Sequence, residues 1–504
     1  MNIFFSLLLL ALDIAPSTAV AGNGATVTVD GIKSRPEYAY AAPQEFFFLS
    51  DSDTGLSGKG VYQAEDFGAV ADPTVDNRAA IQDAIDAAHA AGGGMVVLQS
   101  GTYGISKRPN YHGALLMKDN VFLKGMGMGE TVLRVVDGWD YDLDDGYRLT
   151  GIIRSPHGEA TKNYGIADLT LDGNRENTNG LIDGFYSGGI PGYPISDADV
   201  WVIRVEARNC PGFGFEQNER HERLTITNSI SHHNTRDGFI SAYITDSVYK
   251  NNTAYENERH GFNIVRATND LLLSDNFAVD NGGSGIVIQR GGYNMSSLYN
   301  ITNDTLQSDI FAEFDTDVQP GSEEDIPLPN NIMVTGGETS RNMKEGMLLL
   351  MCNNVEVNGV DVLENGSYGV RIHGSSHVSV LNNQIINNSR SKDGGYAGIQ
   401  VNNYLDVKNT NRTYVAENNT ISGNAIGWTN GLSGKTDVQI LVENKNNDVT
   451  NTITVKGEGW TVDGDVAVLN DRSNVDFIIG GVSIAAVLVA VLVLVWWWRK
   501  EKKG

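Results

Sequence analysis

This chain of 504 residues carries 62 Asp and Glu against 37 Lys and Arg, a formal net charge of −25 that argues against a nucleic-acid partner and suits an extracellular or cation-rich setting. Its only cysteines are Cys210 and Cys352, so no disulfide framework braces the fold, and both read as small core residues.

In chain order, residues 3–12 form a short apolar run, and Ala19 and Ala21 give an A-x-A-like cleavage site. Residues 1–21 read as a secretory signal although no Lys or Arg precedes the run. An extension over residues 22–60 is weakly patterned. Asp76 is then a predicted helix N-cap, Ile81, Ala84, Ile85 and Ala88 share one helix face, and the glycines at 92–94 stop the helix. Feeding directly into a strand at 95–98, that helix would cover the open end of a stack of strands.

Residues 224–288 then repeat one pattern three times: LTITNSISHHNTRDGFI, SVYKNNTAYENERHGFN and LLLSDNFAVDNGGSGIVI. Each copy is an apolar strand, an Asn-rich turn, and a Gly followed by an apolar residue. Gly214, Gly238, Gly261 and Gly285 stand 24, 23 and 24 residues apart, and the series resumes at Gly346, Gly369 and Gly398. Helical hairpin repeats need more than about 30 residues, and the Leu/Asn consensus of leucine-rich repeats is missing. The expected fold is therefore all-β, a right-handed parallel β-helix (a single-stranded solenoid) over residues 61–466, with an N-terminal capping helix. Turn residues Asn228, Asn234, Asn251, Asn252, Asn257, Asn276 and Asn281 read as structural. They tolerate left-handed backbone and can bond the equivalent Asn of the next coil.

An insertion over residues 291–330 interrupts the rhythm. It holds Asp304, Asp309, Glu313, Asp315, Asp317, Glu323, Glu324 and Asp325, with no Lys or Arg from 300 to 329; this is a solvated acidic loop or a cation-binding flap. Glycosylation sequons begin at Asn251, Asn294, Asn300, Asn303, Asn365, Asn387, Asn411 and Asn418, two or three of which are expected to be used, best in the insertion. A polar linker (467–476) leads to residues 477–498, which carry no charge and end in Trp496, Trp497 and Trp498 before Arg499, Lys500, Lys502 and Lys503. This pattern predicts a transmembrane helix with a cytoplasmic basic tail (499–504), which places the β-helix at the cell surface as a single-pass, monomeric protein.

Equivalent positions in successive coils lie about 4.8 Å apart. Immediately before the repeat Gly stand Phe213, Asp237, His260 and Ser284; two before it stand Gly212, Arg236, Arg259 and Gly283. Asp237 should neighbour His260 and favour its imidazolium, and Arg236 beside Arg259 makes a cationic ladder that can grip carboxylates. A salt-bridge cluster joining coils is the structural alternative. Arg204, Arg208, Arg220, Arg223, Arg236, Arg259 and Arg266 crowd into the same coils, a basic zone on an acidic chain.

Residues 61–466 resemble the catalytic module of mannuronan C5-epimerases, relatives of pectate lyases. The resemblance is carried by DFGAV (66–70), AAIQDAIDAAHAAGGG (79–94), LKGMGMGETVL (123–133), ADLTLDGNRENTNG (167–180) and AYENERHGFN (254–263), of which the first two mark only the wider β-helix superfamily. It implies a β-helix, a polyuronate (anionic polysaccharide) substrate and Ca²⁺ as a cofactor. The Gly/Asp nonapeptide Ca²⁺-binding modules common in the family are not in this sequence. The family's Tyr-Gly-apolar-Asp-Pro-His-Glu signature falls on Phe213, Gly214, Phe215, Glu216, Gln217, Asn218 and Glu219, which replaces its Tyr and His; its Lys and a second Asp fall on Leu181 and Ala242.

The C5 proton of a uronate becomes acidic once the neighbouring carboxylate is neutralised, and a base then removes it. Return of a proton to the other face epimerises the sugar; loss of the C4 substituent cleaves the chain. Arg259, helped by Arg236, is expected to neutralise the carboxylate, and Glu216 or His260, beside Asp237, to exchange the proton. His221 and His232 are further candidates for proton transfer. Asn218, Asp183 and Glu219 are expected to contact sugar. The alternatives are a polyuronate lyase and a catalytically inactive glycan-binding surface protein. A polygalacturonase-type hydrolase is disfavoured, because no compact Asp pair with its neighbouring His and Lys occurs.

Overall fold

The computed structural model describes residues 60–108, 113–138, 150–156, 159–178, 182–188, 197–217, 220–291, 327–406, 412–429, 440–442, 448–449, 460–463 and 466–469. The expected signal segment, the acidic stretch 300–326 and residues 477–498 lie outside them. Among the described residues no helix is long and apolar enough to cross a membrane.

The chain winds into a parallel β-helix. Among the described residues, one sheet of eleven strands stacks in coil order from Gly113–Leu116 to Ile440–Val442, a larger sheet has 24 strands, and Tyr404–Asp406 pairs antiparallel with Arg412–Tyr414. Side chains alternate across each strand. In the eleven-stranded sheet Phe215, Phe239 and Phe262 are register partners, and their rings stack inside at 4.8 and 4.7 Å. The neighbouring position gives a second column in register: Arg154, Tyr186, Glu216, Ile240, Asn263, Val287, Leu348 and Arg371.

The turn asparagines divide into two kinds. Asn228 and Asn251 have left-handed backbone, with φ of 53° and 54°. Asn234, Asn257 and Asn281 are not left-handed. They are buried, and each amide donates to the Oδ1 of the Asn in the next coil, at 2.9 Å for Asn234 to Asn257 and 3.0 Å for Asn257 to Asn281. The ladder continues through Asn342 and Asn365 to Asn388. Asn252 and Asn276 belong to a second ladder at another corner. Cys210 starts the first ladder, its N–H donating to Asn234 Oδ1 at 2.9 Å, and both cysteines are free and buried. Of the eight sequons, Asn365 sits inside the ladder and Asn387 is only 2 % exposed.

The insertion leaves the stack in register. Leu271 pairs with Ile332, and Asn281 donates to Asn342 Oδ1 at 2.9 Å across 61 residues of sequence. The repeat glycines are required by close approach: a Cβ on Gly261 would meet the carbonyl oxygen of Gly285 at 2.7 Å.

The expected helix forms over Arg78–Ala90 with Ile81, Ala84, Ile85 and Ala88 buried. Its N-cap is Asn77, one residue later than expected. Asp76 still accepts from Arg78 N–H at 3.1 Å, but it also anchors Ser106, and Asn77 Oδ1 takes the N–H of Val70.

Asn257→Ala removes the bonds to Asn281 Oδ1 and Ser231 O and leaves Asn234 without its acceptor. Urea unfolding should show a loss of about 1–3 kcal/mol, while Asp83→Ala, on the exposed face of the helix, stays within about 0.5 kcal/mol of the parent.

Candidate active site

Arg236 and Asp237 lead into strand Phe239–Ala242, Arg259 and His260 into Phe262–Val265, and the stack sets these two pairs on adjacent coils. Asp237 is fully buried. Its Oδ1 accepts the N–H of His260 at 3.0 Å and lies 3.4 Å from Arg259 Nε; its Oδ2 accepts from Asn263 Nδ2 at 2.9 Å. One coil further on, His260 Nδ1 accepts the N–H of Ser284 at 3.0 Å, and Ser284 Oγ donates to Glu345 Oε2 at 2.8 Å.

In the other direction, the buried Arg236 lies 5.2 Å over the ring of Phe213. Burial and the neighbouring Arg259 pull its pKa down to about 10, against Asp183, Glu216 and Asp237, so it stays charged at neutral pH. Asp183 accepts the N–H of Phe213 at 2.7 Å and shares a hydrogen bond with Glu216. Burial raises the Asp183 carboxyl, against that bond and the charges of Arg236 and Arg154. Arg154 lies 4.4 Å over the ring of Tyr186 and donates from Nε to Ser155 O at 2.8 Å.

The expected cationic ladder is therefore a mixed one. Arg154, Arg236, Arg259 and Lys344 alternate with Asp183, Glu216, Asp237 and Glu345, because burying like charges without counter-charges is prohibitively costly. Lys344, Glu345, Arg154 and Asn263 join this ladder in addition to the residues expected from the sequence. Lys344 and Glu345 hold the same two positions before Gly346 that Arg259 and His260 hold before Gly261, so carrying the column past the insertion finds them.

Three expectations are corrected. His260 is not an imidazolium: burial, with Arg259 and Lys344 nearby, lowers its pKa to about 4, and Asp237 does not offset this. The basic zone is split, since Arg204 pairs with Asp168, Arg208 with Asp172, and Arg223 with Asp199 on the larger sheet. His221 and His232 also sit on that sheet, bonded to Ser187 and Glu206 respectively. Asn218, Glu219 and Leu181 lie outside the described residues. Phe213 and Ala242, at the family's Tyr and second Asp, pack with Ile240 and Val265 in one apolar cluster.

Residues 185–312 match the family described as a right handed beta helix region. The A-module of Azotobacter vinelandii mannuronan C-5 epimerase AlgE4 superposes with a TM-score of 0.64 at 38 % identity, over 80 % of this chain and 100 % of that module. The chain belongs to the mannuronan C5-epimerase A-module family. Within it, mannuronan C5-epimerase AlgE5 of the same organism is 42 % identical over 75 % of this chain but only 34 % of its own length, and alginate lyase 7 is 50 % identical over 42 % of this chain and 24 % of its own. The chain thus spans about a third of the full-length AlgE5.

The Ca²⁺ implied by the resemblance does not fit these side chains. A hard cation takes six to eight oxygens, whereas oxygens of Asp183 and Asp237 accept N–H donors and cations stand between the carboxylates. Among the described residues no group of three or more His, Cys, Asp and Glu is arranged to hold a metal ion.

The buried His260 gives a pH test with a defined sign. With its folded pKa near 4 against about 6.5 unfolded, its stabilising contribution is complete above pH 6.5 and is lost as pH falls toward 4. Unfolding free energies across that window should fall by on the order of 3 kcal/mol from this group, and His260→Asn should flatten the slope.

Proposed function

We propose that this protein is a polyuronate C5-epimerase acting on an alginate-type chain along the outer column of the eleven-stranded sheet. The observation that carries the reading is the convergence of Arg236, Arg259, Asp183, Glu216, Asp237 and His260 on successive coils of a scaffold shared with epimerase A-modules. Arg259, 11 % exposed and only 3.4 Å from a carboxylate at its Nε, is the cation closest to solvent in this group and neutralises the substrate carboxylate, with Arg236 behind it. Asp237 holds Arg259 in place.

The Asp183–Glu216 pair is assigned the C5 proton. A hydrogen bond between two carboxyls needs a proton, and burial keeps it on the pair to higher pH than an ordinary carboxyl would. His260, neutral and with Nδ1 occupied, carries its proton on Nε2 and serves as a hydrogen-bond donor, not as the base. Phe213 has no hydroxyl and props the Arg236 guanidinium from below. Asn218 and Glu219 follow Glu216 by two and three residues and are assigned to sugar contacts. The proposal includes the helix Arg78–Ala90 as the cover of the first coil and residues 477–498 as a membrane anchor that leaves the β-helix outside the cell.

Incubation with polymannuronate in D₂O, with and without Ca²⁺, should place deuterium at C5. Arg259→Ala should lower kcat/KM by about 10²–10³-fold. An ultraviolet-absorbing unsaturated end would instead show elimination, the activity named for the alginate lyase 7 relative. Retained affinity with neither signal would replace the enzyme by a glycan-binding protein.

A further inference from the structure

On the larger sheet, away from the charge ladder, His232 and His233 meet in a geometry that puts either a shared proton or a metal ion between them. Adjacent residues of a strand point to opposite sides, but His233 follows the end of strand Ile230–His232 with a left-handed backbone (φ 55°), which turns both rings to one side. His232 Nε2 lies 3.0 Å from Glu206 Oε1, and His233 Nε2 lies 2.9 Å from Glu256 Oε2. An imidazole that donates from Nε2 keeps its lone pair on Nδ1. The two Nδ1 atoms are 2.7 Å apart. Two lone pairs facing at that distance repel unless a proton or a metal ion lies between them.

Each ring is oriented as a metal ligand is, with one nitrogen offered and the other N–H given to a carboxylate. The supports are themselves held. Glu206 accepts from Thr170 Oγ1 at 2.6 Å and from Arg208 at 3.2 Å, and His232 is stacked on Tyr255 at 4.5 Å. His233 is 44 % exposed, so an ion can arrive with its water shell. Metal–nitrogen bonds of about 2.0–2.1 Å at a right angle set the nitrogens about 2.9 Å apart, while a tetrahedral angle sets them about 3.3 Å apart or more. The observed spacing is closer to the right angle.

We propose that His232 and His233 form a surface site for a tetragonal divalent transition metal, Cu²⁺ or Ni²⁺ ahead of Zn²⁺, bound in cis through both Nδ1 atoms with water filling the shell. The ion links neighbouring coils, because the carboxylates that orient the two rings come from the preceding coil (Glu206) and the following one (Glu256). The site is independent of the epimerase reading.

Titrating the full-length protein with Cu²⁺ at neutral pH, followed by calorimetry and electron paramagnetic resonance, should show one equivalent bound with splitting from two imidazole nitrogens. His233→Ala should weaken this binding at least tenfold and Glu256→Ala by roughly 10-fold. His377→Ala, at an exposed histidine on another coil, should leave it unchanged. Equal affinity in His233→Ala, or a spectrum with a single nitrogen, would overturn the site and leave a shared proton between the rings.

Discussion

Everything in this protein depends on successive coils staying in step. The constraint is enforced by hydrogen bonds that close only at that register: each buried Asn of the first ladder gives its amide to the next Asn, while its Oδ1 accepts both a backbone N–H and an amide from the previous coil. A slip of one residue would strand these groups in an apolar interior, which costs more than any single surface bond returns. The stacked Phe215, Phe239 and Phe262 rings and the glycine carbonyls 2.7–2.9 Å from any Cβ make the same demand sterically. Residues more than twenty apart in sequence therefore become side-chain neighbours at one-rung spacing.

The charge ladder follows from this register. A lone buried Arg236 or Asp237 would be untenable, yet each finds an opposite charge on its own coil or on a neighbouring one. The same packing sets the protonation states that matter for chemistry: it keeps His260 neutral, leaves Arg236 charged and raises the Asp183 carboxyl. In the proposed function, a polyanion reaching this strip would meet cations held rigidly in place, with their entropic cost already met by folding.

Periodic features were readable from the residues alone. Gly238, Gly261 and Gly285 mark the coil, Asn234, Asn257 and Asn281 its corner, and together they place Asp237 beside His260. What the period does not show is which side of a coil a residue faces, so Arg204, Arg208 and Arg223 fall together with Arg259 in the sequence although they pair with acids on the other sheet. His260 departs from its sequence expectation for a different reason. Its charged neighbours are visible in the sequence, but its burial is not, and burial is the larger effect. Arg154 stands in register with Tyr186 and Glu216, two positions after the repeat Gly, whereas the sequence columns follow the two positions before it.

The charge ladder depends most on the coil before the insertion being followed directly by the coil after it, because Glu345 and Lys344 join the ladder only across that junction. Asp280 and Arg341 face each other there on adjacent rungs, 2.8 Å apart at their charged atoms and both exposed. Rung spacing of about 4.8 Å falls within the span of a disulfide. Cysteines placed at both positions in the full-length protein should form an intramolecular disulfide under mild oxidation, seen by mass spectrometry of the unreduced digest. If the pair stays reduced in the folded protein, or links only between molecules, the coils are not stacked as described and the ladder built on them is wrong.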